Sequence, residues 1–125
     1  MKFTLEAGRG AYYITAYRDG AVRIGQQEFA HSVIVTAGQL LEWPVTLIHD
    51  LTIEHLGGAL QLQPDIIVLG TGSRLVFPPL ALQAALAALR VGLEVMDTAA
   101  ACRTYNVLLS EDRRVAAALM IEASD

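Results

Sequence analysis

Residues 65–121 constrain the fold more than any other part of the chain. Two apolar runs each end in a small polar cluster, Gly70-Thr71-Gly72-Ser73 and Asp97-Thr98, and each cluster leads into a helical stretch. Residues 66–69 are continuously apolar, the mark of a strand buried on both faces. Pro78-Pro79 opens a helix to about residue 90, with Leu82, Leu86 and Leu89 as its apolar stripe and Gly92 as its stop. Residues 93–96 give the next strand. Asp97 or Thr98 caps a helix to about residue 109, residues 110–114 form a charged turn, and 115–121 supply the last strand. A strand–helix–strand unit closes as a right-handed crossover with parallel strands. The 70–73 and 97–98 clusters are therefore expected on one edge of the sheet, where open α/β sheets hold ligands.

The first third of the chain has a different period. Residues 12–17 are aromatic and β-branched, Asp19-Gly20 is a two-residue hairpin signal, and 21–24 supply the second strand. Gly25 marks another turn before 27–29, and 32–36 form a short apolar strand. Pro44 interrupts the chain beyond that strand and pushes Trp43 toward extended geometry. Thr52 is placed to cap a helix over 53–62, carrying Ile53, Leu56 and Leu60 on one face. Gly57 and Gly58 weaken it by about 1 kcal/mol each, and Pro64 ends it. The whole of 1–125 is expected to form one domain, β-rich over about 1–48 and α/β over about 50–122.

Composition narrows the function classes. A hydrophobic fraction of 54% fits strands covered on both faces or an apolar patch that meets a partner. No stretch reaches the roughly 18 uninterrupted apolar residues of a membrane helix. Residues 79–96 come nearest but are broken by Gln83, Arg90, Gly92 and Glu94. A net charge of −4 argues against a general nucleic-acid surface. Eight of the nine cations are Arg, which favours structured, bidentate contacts, although base composition of a genome produces the same bias. The lone Cys102 excludes an internal disulfide and a cysteine zinc site. The opening residues lack the apolar core of a signal peptide, so a cytoplasmic location is expected.

Each candidate site residue has a chemical reading and a plainer one. Gly70, Thr71, Gly72 and Ser73 can cradle an anion through backbone amides, with Arg74 alongside; equally, they form a tight turn that needs positive φ. Neither a P-loop nor a dinucleotide fingerprint is present. Asp97 and Thr98 are first of all a helix cap, and a catalytic carboxylate second. Cys102, one turn into that helix, is either a nucleophile awaiting His31, His49 or His55, or a small buried hydrophobe. Arg103 and Asn106 share a polar helical face with Ser110, readable as solvated or as a recognition surface. The three histidines lack metal-ligand spacing, so neither metal nor cofactor is expected.

Four segments in combination carry a resemblance: Pro64-Asp65-Ile66-Ile67-Val68-Leu69-Gly70-Thr71-Gly72; Glu94-Val95-Met96-Asp97-Thr98; Ala101-Cys102-Arg103-Thr104-Tyr105-Asn106-Val107-Leu108; and Arg113-Arg114-Val115-Ala116-Ala117-Ala118-Leu119. The chain resembles a domain family of unknown function that includes mitochondrial respiratory complex I assembly factor 3 and an adipogenesis-associated domain-containing protein. The resemblance implies a three-layer α/β fold with a central mixed sheet and an N-terminal β-hairpin layer. It also implies a last strand antiparallel to its neighbours, and action by binding other proteins.

These residues support two function classes. The first is a non-enzymatic interaction or assembly factor that presents the strand-end crevice and flanking helix to a partner protein, such as one met in respiratory or membrane complex assembly. The second is a small-molecule-binding protein or enzyme using Gly70–Ser73, Asp97-Thr98 and Cys102. A homo-oligomer that covers its own apolar patch is a third possibility.

Overall fold

The structure is a computed structural model that describes residues 10–122. The first nine residues, where a targeting signal is not expected, lie outside the described part. Among the described residues, eight strands form two sheets. β1 (Ile14–Arg18), β2 (Ala21–Ile24) and β3 (Gln27–Phe29) make an antiparallel three-stranded sheet. β4 (Val33–Val35), β5 (Leu40–Glu42), β6 (Ile66–Gly70), β7 (Gly92–Met96) and β8 (Val115–Leu119) make a mixed sheet in the order β5-β4-β8-β6-β7. Among the described residues, three α-helices, α1 (Gly57–Leu60), α2 (Leu80–Ala88) and α3 (Thr98–Ser110), accompany two 3-10 turns, Ile48–Asp50 and Ile53–Leu56.

Side-chain alternation explains why the five-stranded sheet lies in the middle. Strand side chains point to opposite faces in turn, so a strand buried throughout must be covered on both. Val33, Val35, Val68, Val115, Ala117 and Leu119 enter one core, with α3 and the three-stranded sheet above them. Ile34, Ile67, Leu69, Ala116 and Ala118 enter the other, beneath Trp43, Leu51, Leu56, Leu82 and Leu86. The alanines at 116–118 sit on the central strand, so both covering layers can approach closely.

The β-α-β unit forms as its apolar runs predict. β6 and β7 are parallel, with Gly70 opposite Met96. The hairpin at Asp19-Gly20 also forms, with Arg18 opposite Ala21 and Gly20 at φ 85°.

Several expectations need correction. The last strand is antiparallel only to β4; it runs parallel to β6, with Gly70 opposite Leu119. It ends at Leu119 rather than residue 121, because Ile121 N–H leaves the ladder and donates to Ser32 Oγ at 2.8 Å. The helix expected over 53–62 is a 3-10 turn followed by the single turn of α1, its start held by Thr52 and His55, whose Nδ1 accepts from Thr52 N–H at 2.9 Å. α2 ends at Ala88, and the chain turns at Arg90 with φ 62°; Gly92 opens β7 instead of stopping the helix. Leu89, assigned to the stripe, is 56% exposed while Leu82 and Leu86 are buried. β5, Leu40–Glu42, carries no local strand signal in the sequence.

The three-stranded sheet is fastened to α3 by polar contacts as well as by apolar packing. Asn106 Oδ1 accepts from Ile14 N–H at 3.0 Å, and its Nδ2 donates to Ile14 C=O at 2.7 Å. Tyr105 is fully buried and its hydroxyl donates to Tyr12 C=O at 2.7 Å. Burial pushes that phenol well above its ordinary pKa. Asn106→Ala removes both partners of the Ile14 backbone and is expected to cost about 1–3 kcal/mol in urea denaturation. A change within about 0.3 kcal/mol would show that the layer is held without this clamp.

Candidate functional site

Parallel pairing of β7, β6 and β8 brings three strand ends to one edge of the sheet. β6 runs into the turn at 71–73, β7 into Asp97 and α3, and β8 into Met120, Ile121 and Glu122. The backbone groups of this edge bond to one another. Thr71 N–H donates to Met96 C=O, Met120 N–H to Gly70 C=O and Thr98 N–H to Gly72 C=O, each at 2.9 Å.

Thr98 is the hub. Its fully buried hydroxyl accepts from Gly72 N–H at 2.8 Å and donates to Met120 C=O at 2.8 Å. Gly70 lets the helix come this close: a Cβ there would lie 2.9 Å from Thr98 Oγ1 and 3.0 Å from both Ala101 Cβ and Thr98 Cα. Gly72 has φ +103°, which an L side chain rarely adopts. The requirement for positive φ in this turn is therefore real. Thr71, also buried, is used locally; its hydroxyl donates to Arg74 C=O at 2.6 Å and accepts from Val76 N–H at 3.0 Å.

The place an anion would take beside this turn holds a carboxylate of the chain itself. Glu122 Oε1 accepts from Ser73 N–H at 3.3 Å and from Ser73 Oγ at 3.1 Å. Asp97 acts as the helix cap, its Oδ1 accepting from Ala100 N–H at 2.8 Å. Gly70, Thr71, Gly72, Ser73, Asp97 and Thr98 thus come together as expected, with their amides and hydroxyls engaged in holding the edge. Nothing in the sequence pattern pointed to Glu122, which reaches Ser73 from 49 residues away.

Cys102, Arg103 and Asn106 lie apart from that edge, on the side of α3 covered by β1. They share a cleft of about 230 Å³ with Ile14, Thr15, Ala16, Tyr17 and Ala99. Drug-sized ligands occupy sites of about 300–1,000 Å³, so this one is small. The two regions adjoin at Tyr17. Its phenol is pushed above the ordinary value by burial first, then by the carboxylates of Asp19, Glu122 and Asp97.

Burial pushes the Cys102 thiol up to about 12 despite the opposing influence of Arg103. None of the histidines lines the Cys102 cleft. His55 belongs to the capping interaction with Thr52, and His31 meets Phe29 edge-on at 5.8 Å. Arg103 is exposed, and its guanidinium makes no hydrogen bond or ion pair among the described residues. Among the described residues no group of three or more His, Cys, Asp or Glu could hold a metal ion, and no helix is long and apolar enough to cross a membrane.

The thiol state has a direct test. With a folded value near 12 against an ordinary value of 9.0, the thiol is neutral at pH 7 and stability declines as pH climbs from the lower value toward the higher. Iodoacetamide at pH 7.5 is expected to modify native Cys102 at least about 100-fold more slowly than the urea-unfolded chain, read by mass spectrometry. Equal rates would mean an accessible, activated thiol.

Comparison with known proteins agrees with this architecture. A family model described as "Protein of unknown function (DUF498/DUF598)" matches residues 14–120. An uncharacterised protein of Rhodobacter capsulatus is 40% identical over 111 residues, covering 89% of this chain and 86% of that protein. A Francisella tularensis protein named 13 kDa major membrane protein is 31% identical, covering 82% and 85%. The NADH dehydrogenase [ubiquinone] 1 alpha subcomplex assembly factor 3 of Xenopus tropicalis is 33% identical over 86% of this chain, which spans 60% of that longer protein. A crystal structure of a Bordetella parapertussis protein superposes with a TM-score of 0.84 at 38% identity, covering 90% of this chain and 97% of the other. A Bordetella pertussis protein described as an Mth938-like domain gives a TM-score of 0.82 at 30% identity, covering 100% and 95%. The chain belongs to the DUF498/DUF598 family, an α/β family whose relatives include the complex I assembly factor 3 proteins.

Proposed function

We propose that this chain works as an assembly-type factor that binds another protein, with components of a respiratory or membrane complex as the partner class. The observation that carries the reading is the segment leaving the closed turn. Leu75, Phe77 and Leu80 are 51%, 64% and 79% exposed within six residues. Holding three large apolar side chains in water is unfavourable, by roughly 25 cal/mol per Å² of apolar surface that a partner would cover. Phe77 is flanked by Pro78-Pro79, which limits the entropy lost when such a loop is gripped.

The polar edge beside it supports the same reading. A small-molecule site needs unengaged donors and acceptors that converge on a cavity. At the strand ends those groups serve Thr98, Glu122 and the neighbouring strands. Arg103 is the one member of the sequence-derived set whose side chain remains exposed and unbonded among the described residues, and it lies apart, in the cleft beside β1. The relatives named complex I assembly factor 3 favour a protein partner; the relative named as a major membrane protein favours a partner class near a membrane.

Quantitative affinity purification of the tagged chain from its own cells tests this. Protein recovered with the native chain is expected to fall by about tenfold or more with Leu75→Ser/Phe77→Ser, while the variant keeps its melting temperature. Undiminished recovery, or a chain that emerges unaccompanied in both cases, would contradict the proposal.

A further inference from the structure

α2 is apolar all round, which a helix on the surface of a protein in water is not expected to be. Its nine residues include no charged side chain, and Gln83 is its one polar residue. Leu82 and Leu86 face the core and are buried. The opposite side presents Leu80, Ala84 and Ala88 at four-residue spacing, all exposed, with Leu80 at 79%. Residues four apart lie along one stripe of a helix. This stripe is large at one end and small through the middle and the other end.

We propose that this stripe is the contact of a homodimer, in which two copies pack their α2 helices antiparallel with Ala84 at the crossing. A two-fold contact must be self-complementary. About an axis through Ala84, Leu80 of one copy lies over Ala88 of the other, and the same fit repeats at the far end. Alanine at 84 lets the helices approach closely, and opposed helix dipoles favour the antiparallel arrangement.

The charges around the stripe select the same partner and the same orientation. Beside the N-terminal half of α2 runs a groove of about 390 Å³ lined by the apolar Leu51, Ile53, Pro79 and Leu82 and by the acidic Asp50 and Glu54, with His49 also on its wall. The Glu54 carboxyl is held below its ordinary pKa by its own backbone N–H and by the Thr52 hydroxyl, so it is charged at neutral pH. Leu89 and Arg90 stand just beyond the other end of the helix. Leu89 is 56% exposed, and Arg90 is exposed with a guanidinium that makes no hydrogen bond or ion pair among the described residues. Antiparallel pairing carries Leu89 and Arg90 of each copy to the apolar, acid-edged groove of the other. Parallel pairing would place acid beside acid. One short helix and its flanks cover less than the ~800 Å² per partner of a standard interface, so the dimer is a weak, concentration-dependent one.

This inference goes beyond the interaction reading; Leu80 belongs to both surfaces, but the two fail separately, because this one turns on Ala84, Arg90 and the acid-edged groove and the other on Leu75 and Phe77. Sedimentation equilibrium of the 125-residue chain over about 1–500 μM tests it. The native chain is expected to move from 13.5 kDa toward twice that mass. Ala84→Glu, at an exposed position, is expected to stay monomeric with an unchanged melting temperature, and Leu80→Ser reports on the same contact should that variant fold poorly. Arg90→Glu is expected to weaken association about tenfold, with Asp50→Lys/Glu54→Lys in the same chain restoring it. A native chain that remains at 13.5 kDa throughout, or equal association of native and Ala84→Glu chains, would overturn the proposal. A dimer sensitive to Ala84→Glu but indifferent to the charge exchange would overturn the antiparallel orientation. A monomeric chain that still captures a protein through Phe77 would remove this inference alone.

Discussion

The close seating of α3 on the end of β6 is the contact on which the rest of the structure depends. Gly70 has no side chain, so the first turn of the helix can lie directly on the strand. Thr98 then reaches Gly72 and Met120 with one hydroxyl, tying the ends of β6 and β8 to the start of the helix. A buried hydroxyl that both donates and accepts meets its own requirement and that of two backbone groups. With α3 fixed in this way, its far face offers Asn106 and Tyr105 to the backbone of the N-terminal sheet. One helix thereby joins the central sheet to the layer above it.

The same contact decides what chemistry the edge can do. Backbone amides at strand ends attract anions when nothing else satisfies them. Here Gly72 N–H is given to Thr98 and Ser73 N–H to the Glu122 carboxylate. Cys102, one turn further along α3, is pressed under β1, and burial keeps its thiol protonated. The polar residues that look catalytic in one dimension are those the fold uses to close itself. Exposed apolar side chains gather elsewhere, on the loop at Leu75 and Phe77 and along the outer side of α2.

The central β-α-β unit was legible because strands buried on both faces are written as continuous apolar runs, and because Asp97 and Pro78-Pro79 mark helix starts by local chemistry. Both polar clusters were correctly expected on one edge, since parallel register is a consequence of the crossover. What escaped depends on non-local pairing. The direction of β8 relative to each neighbour is a property of strand order, which no local period encodes. β5, Leu-Leu-Glu, lacks β-branched residues and forms because β4 offers it an edge. Asn106 was legible as a polar position on α3, but its use as a clamp requires β1 to lie across it, 92 residues away in sequence. Arg90 takes a left-handed turn that glycine more often supplies, so α2 stops two residues before the point its sequence suggests.

The account stands on the strand-end turn being closed by the protein itself, and native-state hydrogen exchange reads that directly at the Gly72 amide. Gly72 is expected to exchange with an opening free energy within about 1 kcal/mol of the β6 amides, because its acceptor is the buried Thr98 hydroxyl and both open together. Exchange at the rate of an exposed loop amide would contradict the account. It would return the turn to the status of an open, donor-lined site waiting for a ligand.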